Sequence, residues 1–179
     1  MKLSSPQKQL ITESTAFLKY LTRKLPNTPK YVIKDWIYQL LKPAGRGEED
    51  HWDWSDLNDV FKHGGYAAAD DFGPLDKIVW TPKPKPVIFN IDMFNAYAKK
   101  HLNDRVNKSP KYWITKDAKR HSIQASRLGP KELAFEEPAI MFLFPNGEYE
   151  LIEGWHRTIQ AFQKYGDNFK AMSYIGQKN

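Results

Sequence analysis

Residues 150–158 read Glu-Leu-Ile-Glu-Gly-Trp-His-Arg-Thr, so two carboxylates, an imidazole and a guanidinium gather around one glycine. A guanidinium matches phosphate oxygens in a two-pronged fashion. The start of a helix presents backbone N–H groups to an anion. A nearby carboxylate suits Mg²⁺ or a hydroxyl that must lose its proton. These residue types therefore point to phosphate chemistry, with Gly154, His156 and Arg157 as the contacts and Glu153 beside them. Each also has a structural reading. Arg157 could pair with Glu153 or Glu150, and His156 could be a satisfied polar residue near the surface. Trp155 shares a helical face with Ile159 and Phe162, which favours a place in the core over a stacking role.

The elements that must hold these groups follow from local patterns. Residues 138–144, Pro-Ala-Ile-Met-Phe-Leu-Phe, form the apolar run expected of a strand buried on both faces. Pro145-Asn146-Gly147 supplies turn chemistry for a hairpin. Residues 148–152 then alternate, with Tyr149 and Leu151 on one face and Glu148, Glu150 and Ile152 on the other. Gly154 permits a sharp turn into a helix over residues 158–165, where a side chain would obstruct a bound group. Gly166 stops that helix, and residues 169–175 return as a strand.

The order strand, Asn-Gly turn, Glu-Tyr-Glu-Leu-Ile-Glu-Gly-Trp-His-Arg-Thr, helix, Tyr-Gly, strand resembles the core of the ParB/sulfiredoxin superfamily over about residues 137–176. Members carry Gly-x-His-Arg or Gly-x-Arg-Arg at this junction and bind nucleotide phosphates there, usually with a divalent ion. The resemblance implies an α+β fold with a mixed sheet and helices. It implies phosphate or nucleotide contacts from Gly154, Trp155, His156, Arg157 and Thr158, catalytic roles for Glu153 and His156, and Mg²⁺ at Glu150 and Glu153. The substrate or ligand it implies is ATP or CTP, and the activity is that of an NTPase or kinase-like phosphotransferase. Sulfiredoxins have a reactive cysteine at the position of Trp155, and this chain has no cysteine, which excludes their redox chemistry. The partition-protein version has Arg in place of His156, and no helix-turn-helix pattern follows the core, which argues against chromosome partition. A small, basic, cysteine-free chain of this type also fits a phage or other mobile element.

Charge is unevenly spread over the 179 residues, whose net value is +6. Residues 1–76 carry 10 Lys/Arg against 11 Asp/Glu, residues 77–131 carry 13 against 3, and residues 132–179 carry 4 against 7. An anionic partner is therefore expected at the middle third. There, a helix running to Leu128 from a cap at Thr115 or Asp117 carries Lys116, Lys119, Arg120 and Arg127 on a polar-basic face, the expected contact with DNA or RNA. The alternative function is thus a non-catalytic nucleic-acid-binding accessory protein. The bland alternative is a solvated basic surface.

Towards the N-terminus, Ser5-Pro6 and Thr28-Pro29 are helix starts. The apolar spacing predicts one helix to about Lys24 and a second to about Leu41, together a hairpin. Residues 77–80 read as a short strand. Alternating Pro and Lys over residues 81–86 suit an extended linker, and residues 87–89 a further strand. Asp92 is the expected cap of a helix through Leu102 with Phe94, Tyr97 and Ala98 buried. The domain division expected is a helical extension over 1–76 and an α+β core over 77–179. His51, Asp53 and His63 lack a recognised metal-ligand spacing, so a solvated acidic cap is the better account. The absence of cysteine, of an apolar leader and of a membrane-length apolar run predicts a soluble cytoplasmic protein without a membrane partner.

Overall fold

A computed structural model describes residues 14–41, 56–58, 72–107 and 128–178. The chain is α+β and divides into two compact units, one of Met1–Pro82 with Gln177–Asn179 and one of Lys83–Gly176. Five strands form a mixed sheet in the order β1-β5-β3-β4, with β2 also paired to β5. They are β1 (Ile78–Trp80), β2 (Lys85–Phe89), β3 (Ala139–Leu143), β4 (Tyr149–Glu153) and β5 (Phe169–Lys178).

In the first unit, α1 (Ser14–Lys24) and the following helical run α2 pack as the apolar spacing predicts. The run α2 is built from Lys30–Val32, a π turn at Ile33–Ile37, and Tyr38–Leu41. Phe17, Leu21 and Leu25 on one side and Val32, Ile33, Ile37 and Leu41 on the other are all buried, and the two helical runs are in contact. Pro29 starts the second helix, where its missing N–H costs nothing. Trp36 lies edge-on to Trp80 at 5.8 Å and to Phe72 at 6.2 Å, closing this unit's core.

In the second unit, α3 (Ala96–Val106) and α4 (Trp155–Tyr165) lie on the sheet. The core is a cluster of Phe89, Phe94, Phe135, Phe162 and Phe169 with aliphatic neighbours. Phe89 and Phe169 stack at 5.0 Å, and Phe162 meets Phe169 edge-on at 5.0 Å. Residues Ala139 to Phe142 of β3 are all buried, as an interior strand requires. Pro86 sits in β2, which pairs antiparallel with β5 by Pro86 facing Met172.

Two local expectations are corrected. The helix expected with Asp92 as its cap starts three residues later, capped by Asn95. Asn90 caps a short 3₁₀ turn at Ile91–Met93, Phe94 is extended, and Asn95 caps α3 by accepting from Ala98 N at 2.9 Å. In that frame Ala98 and Leu102 face the core, and Tyr97 is turned outward at 66% exposure instead of being buried. Helix α4 begins at Trp155, not at Thr158, because Gly154 takes the cap position.

Candidate functional site

The strand-to-helix junction is assembled by three neighbouring elements. Strand β4 pairs antiparallel with β3, and Ile140 faces Glu153 while Met141 faces Leu151. Strand β4 therefore holds one residue more than β3 there, at Ile152. Such a bulge increases the local twist and re-aims the side chains that follow. The simple alternation expected for residues 148–152 is lost accordingly, and Glu150, Leu151 and Ile152 are all buried.

Gly154 then enters the left-handed region at φ 98° and ψ 13°. A Cβ at that position would stand 3.3 Å from Ala139 Cβ and 3.3 Å from Arg157 Nη2. The turn is thus crowded by β3 and Arg157, and its positive φ disfavours a side chain in its own right. Thr158 N donates to Gly154 O at 2.9 Å, closing the first turn of α4.

Arg157 is held from several sides. Nη1 pairs with Glu137 Oε2, Nη2 donates to Pro138 O at 3.3 Å, and the guanidinium carbon lies 5.7 Å from the centre of the Phe135 ring. Its side chain is 12% exposed against 64% for Glu137. Arg157 Nε is buried and donates to no acceptor. The carboxylate on Arg157 is therefore Glu137, rather than Glu150 or Glu153.

Beside this guanidinium lies a cavity of about 410 Å³. Leu128, Pro130, Leu133 and Phe135 make its apolar wall, and Glu136, Glu137 and Arg157 its polar part. The wall is a tight loop. Gly129 N donates to Ala134 O at 2.9 Å, and a Cβ on Gly129 would come within 2.4 Å of Leu133 O. Tyr165 Oη also donates to Gly129 O, which ties the end of α4 to the loop.

Glu150 is placed differently from Arg157. It is 3% exposed and accepts from Asn95 Nδ2. Asn95 N also donates to Tyr149 O at 2.9 Å, and Phe94 makes a parallel bridge to Tyr149. The segment before α3 thus covers the open edge of β4 and seals Glu150 beneath it. Glu150 has the surroundings of a structural tie and does not fit an open Mg²⁺ site. Glu153 and His156 are half-buried on either side of Gly154. Thr158 is fully buried, its hydroxyl without a hydrogen-bond partner. Among the described residues, no three His, Asp or Glu side chains gather as a metal set.

Trp155 is half-buried against the core cluster, and the His101 ring stands edge-on to it at 4.9 Å. Burial, reinforced by the neighbouring Arg105 charge, lowers the His101 pKa from 6.5, while Asp104 opposes this.

No family model, curated protein or solved structure matches the chain.

Lys116, Lys119, Arg120 and Arg127 lie outside the described residues, as do His51, Asp53 and His63. Among the described residues, no helix is long and apolar enough to cross a membrane. Sequence reasoning missed Glu137, Phe135 and Asn95. Glu136-Glu137 immediately before the apolar strand was the available signal for the first of these.

Proposed function

We propose that this chain is a nucleotide-dependent enzyme of the ParB/sulfiredoxin-like type, an NTPase or phosphotransferase acting on ATP or CTP in nucleic-acid metabolism. The observation that carries the reading is Arg157, which belongs at once to the first turn of α4 and to the wall of the 410 Å³ cavity. A cavity of that size with a mainly apolar wall and one oriented cation suits a small phosphorylated ligand. The phosphates lie against Arg157 and the start of α4, with His156 and Thr158 in the same turn. A phosphate reaching Arg157 replaces the exposed Glu137 carboxylate on Nη1. A Mg²⁺ accompanying the nucleotide would supply charge neutralisation on the phosphates, and of the two glutamates of β4 the half-buried Glu153, rather than the sealed Glu150, would be the residue to hold it. Where Glu153 is not a metal ligand, it would instead be the base that takes a proton from the attacking hydroxyl or water.

Isothermal titration with ATP and with CTP, each with Mg²⁺, tests this reading. Binding of at least one is expected, weakened about tenfold or more in Arg157→Ala, a loss of about 1.4 kcal/mol. Arg157→Lys retains the charge, and its melting curve separates lost binding from lost folding. Binding of neither nucleotide, or equal binding by a folded Arg157 variant, overturns the proposal.

A second reading, a nucleic-acid-binding accessory protein without turnover, is favoured by one observation, the 13 Lys/Arg against 3 Asp/Glu in residues 77–131. Affinity for DNA or RNA would then fall steeply with salt as counterions are released. A flat salt response, or no loss on neutralising Lys119, Arg120 and Arg127, counts against it.

A further inference from the structure

Tyr97 contributes nothing to the core, yet its ring has a partner. It stacks on the His101 ring at 6.0 Å with an interplanar angle of 10°. His101 in turn meets the Trp155 ring edge-on at 4.9 Å. The three rings form a ladder that starts at the exposed Tyr97 on α3 and ends on the first residue of α4. The two helices are tied where Gln163 Nε2 donates to Val106 O at 3.3 Å. Lys100 is exposed one turn along from Tyr97, on the same side of α3. Tyr97 and His101, the outer and middle rings, lie within residues 77–131, the most basic third of the sequence.

We propose that this ladder is a docking platform on which an unpaired base of a single-stranded nucleic acid stacks against Tyr97. An aromatic side chain held by a second ring behind it offers a rigid face, so little side-chain entropy is lost when a base lands on it. Stacking on aromatic rings beside a basic surface is how single strands are held without sequence preference. A duplex keeps its base faces in its own stack and has none to offer, which selects a single strand as the occupant. Lys100 supplies a cation for the adjoining phosphate. The low His101 pKa, caused first by burial, keeps the middle ring uncharged at neutral pH. The proposal rests on the nucleic-acid reading above only for the class of partner, and it is independent of nucleotide turnover at Arg157.

The test is fluorescence anisotropy with a labelled deoxythymidine oligomer of about ten nucleotides, within the usual site size, and with a duplex of equal length. Wild type is expected to bind the single strand more tightly. Tyr97→Ala should weaken that binding between about fivefold and a hundredfold, the range one base–aromatic stack carries. It should leave duplex binding and the melting temperature unchanged, because Tyr97 lies outside the core. Tyr97→Phe should bind as wild type does. Single-strand binding unaltered in Tyr97→Ala overturns the platform while leaving the nucleic-acid reading intact. An equal loss for the duplex also overturns the platform, as does competition by thymidine monophosphate as effective as that of the oligomer at equal base concentration. Failure of the wild type to bind either nucleic acid overturns both.

Discussion

The Glu150 carboxylate and the Asn95 side-chain amide are hydrogen-bonded across 55 positions of sequence, and the same Asn95 caps α3 through its other side-chain atom. One residue thus fixes where a helix begins and donates to a buried carboxyl group on a neighbouring strand. Removing its side chain should cost both terms. Asn95→Ala loses the cap, about 1 kcal/mol, and leaves a buried carboxylate short of a donor, roughly 1–3 kcal/mol more. Urea denaturation should show a total loss of about 2–4 kcal/mol. An unchanged midpoint would contradict the dual role.

Gly154 should be intolerant of any side chain even in the absence of ligand. Gly154→Ala places a Cβ at a backbone φ of 98° and 3.3 Å from Ala139 Cβ. A loss of about 1–3 kcal/mol is expected from the backbone strain and the contact together. If the glycine served only to leave room for a bound phosphate, the variant would melt as wild type does and lose only binding.

Glu137 should act as a competitor for Arg157. Its carboxylate is largely exposed, so the pair contributes at most about 1 kcal/mol to stability. Glu137→Gln should therefore fold normally. Titration with pyrophosphate in the absence of Mg²⁺ should show affinity raised about threefold to tenfold, equivalent to roughly 0.7–1.4 kcal/mol. Weaker binding in this variant would mean that Glu137 orients Arg157 for the anion.

His101 should titrate below 6.5 in an NMR pH series. Arg105→Gln removes a lowering influence and should raise the value, whereas Asp104→Asn removes a raising one and should lower it further. Because the folded-state pKa lies below the unfolded one, the unfolded chain takes up the proton first. Stability should decline as pH falls from about 6.5 toward the folded value and level off beneath it. That part of the pH slope should vanish in His101→Gln.

Several elements were legible because their signals are local. The apolar run of β3, the Asn146-Gly147 turn, the helix ended by Gly166 and the returning β5 each follow from spacing and turn chemistry over a few residues. The start of α3 was misread for a physical reason. Asn90, Asp92 and Asn95 all have side chains able to cap a helix, and local sequence does not rank them. Asn95 prevails because its backbone and side chain also bond to β4. The shift of frame turned Tyr97 outward and created the ring ladder.

The sequence by itself determined the strand–turn–strand–helix–strand order, the glycine at the junction, the basic middle third and the lack of thiol chemistry. These depend on residue type and short-range periodicity alone. Tertiary structure decided that Arg157 meets Glu137, that Glu150 is sealed by Asn95, and that Gly154 is confronted by Ala139. Each of those pairs joins residues 15 or more positions apart. Which groups meet then depends on strand pairing and on the loop that covers an edge, neither of which is encoded in the spacing of the motif.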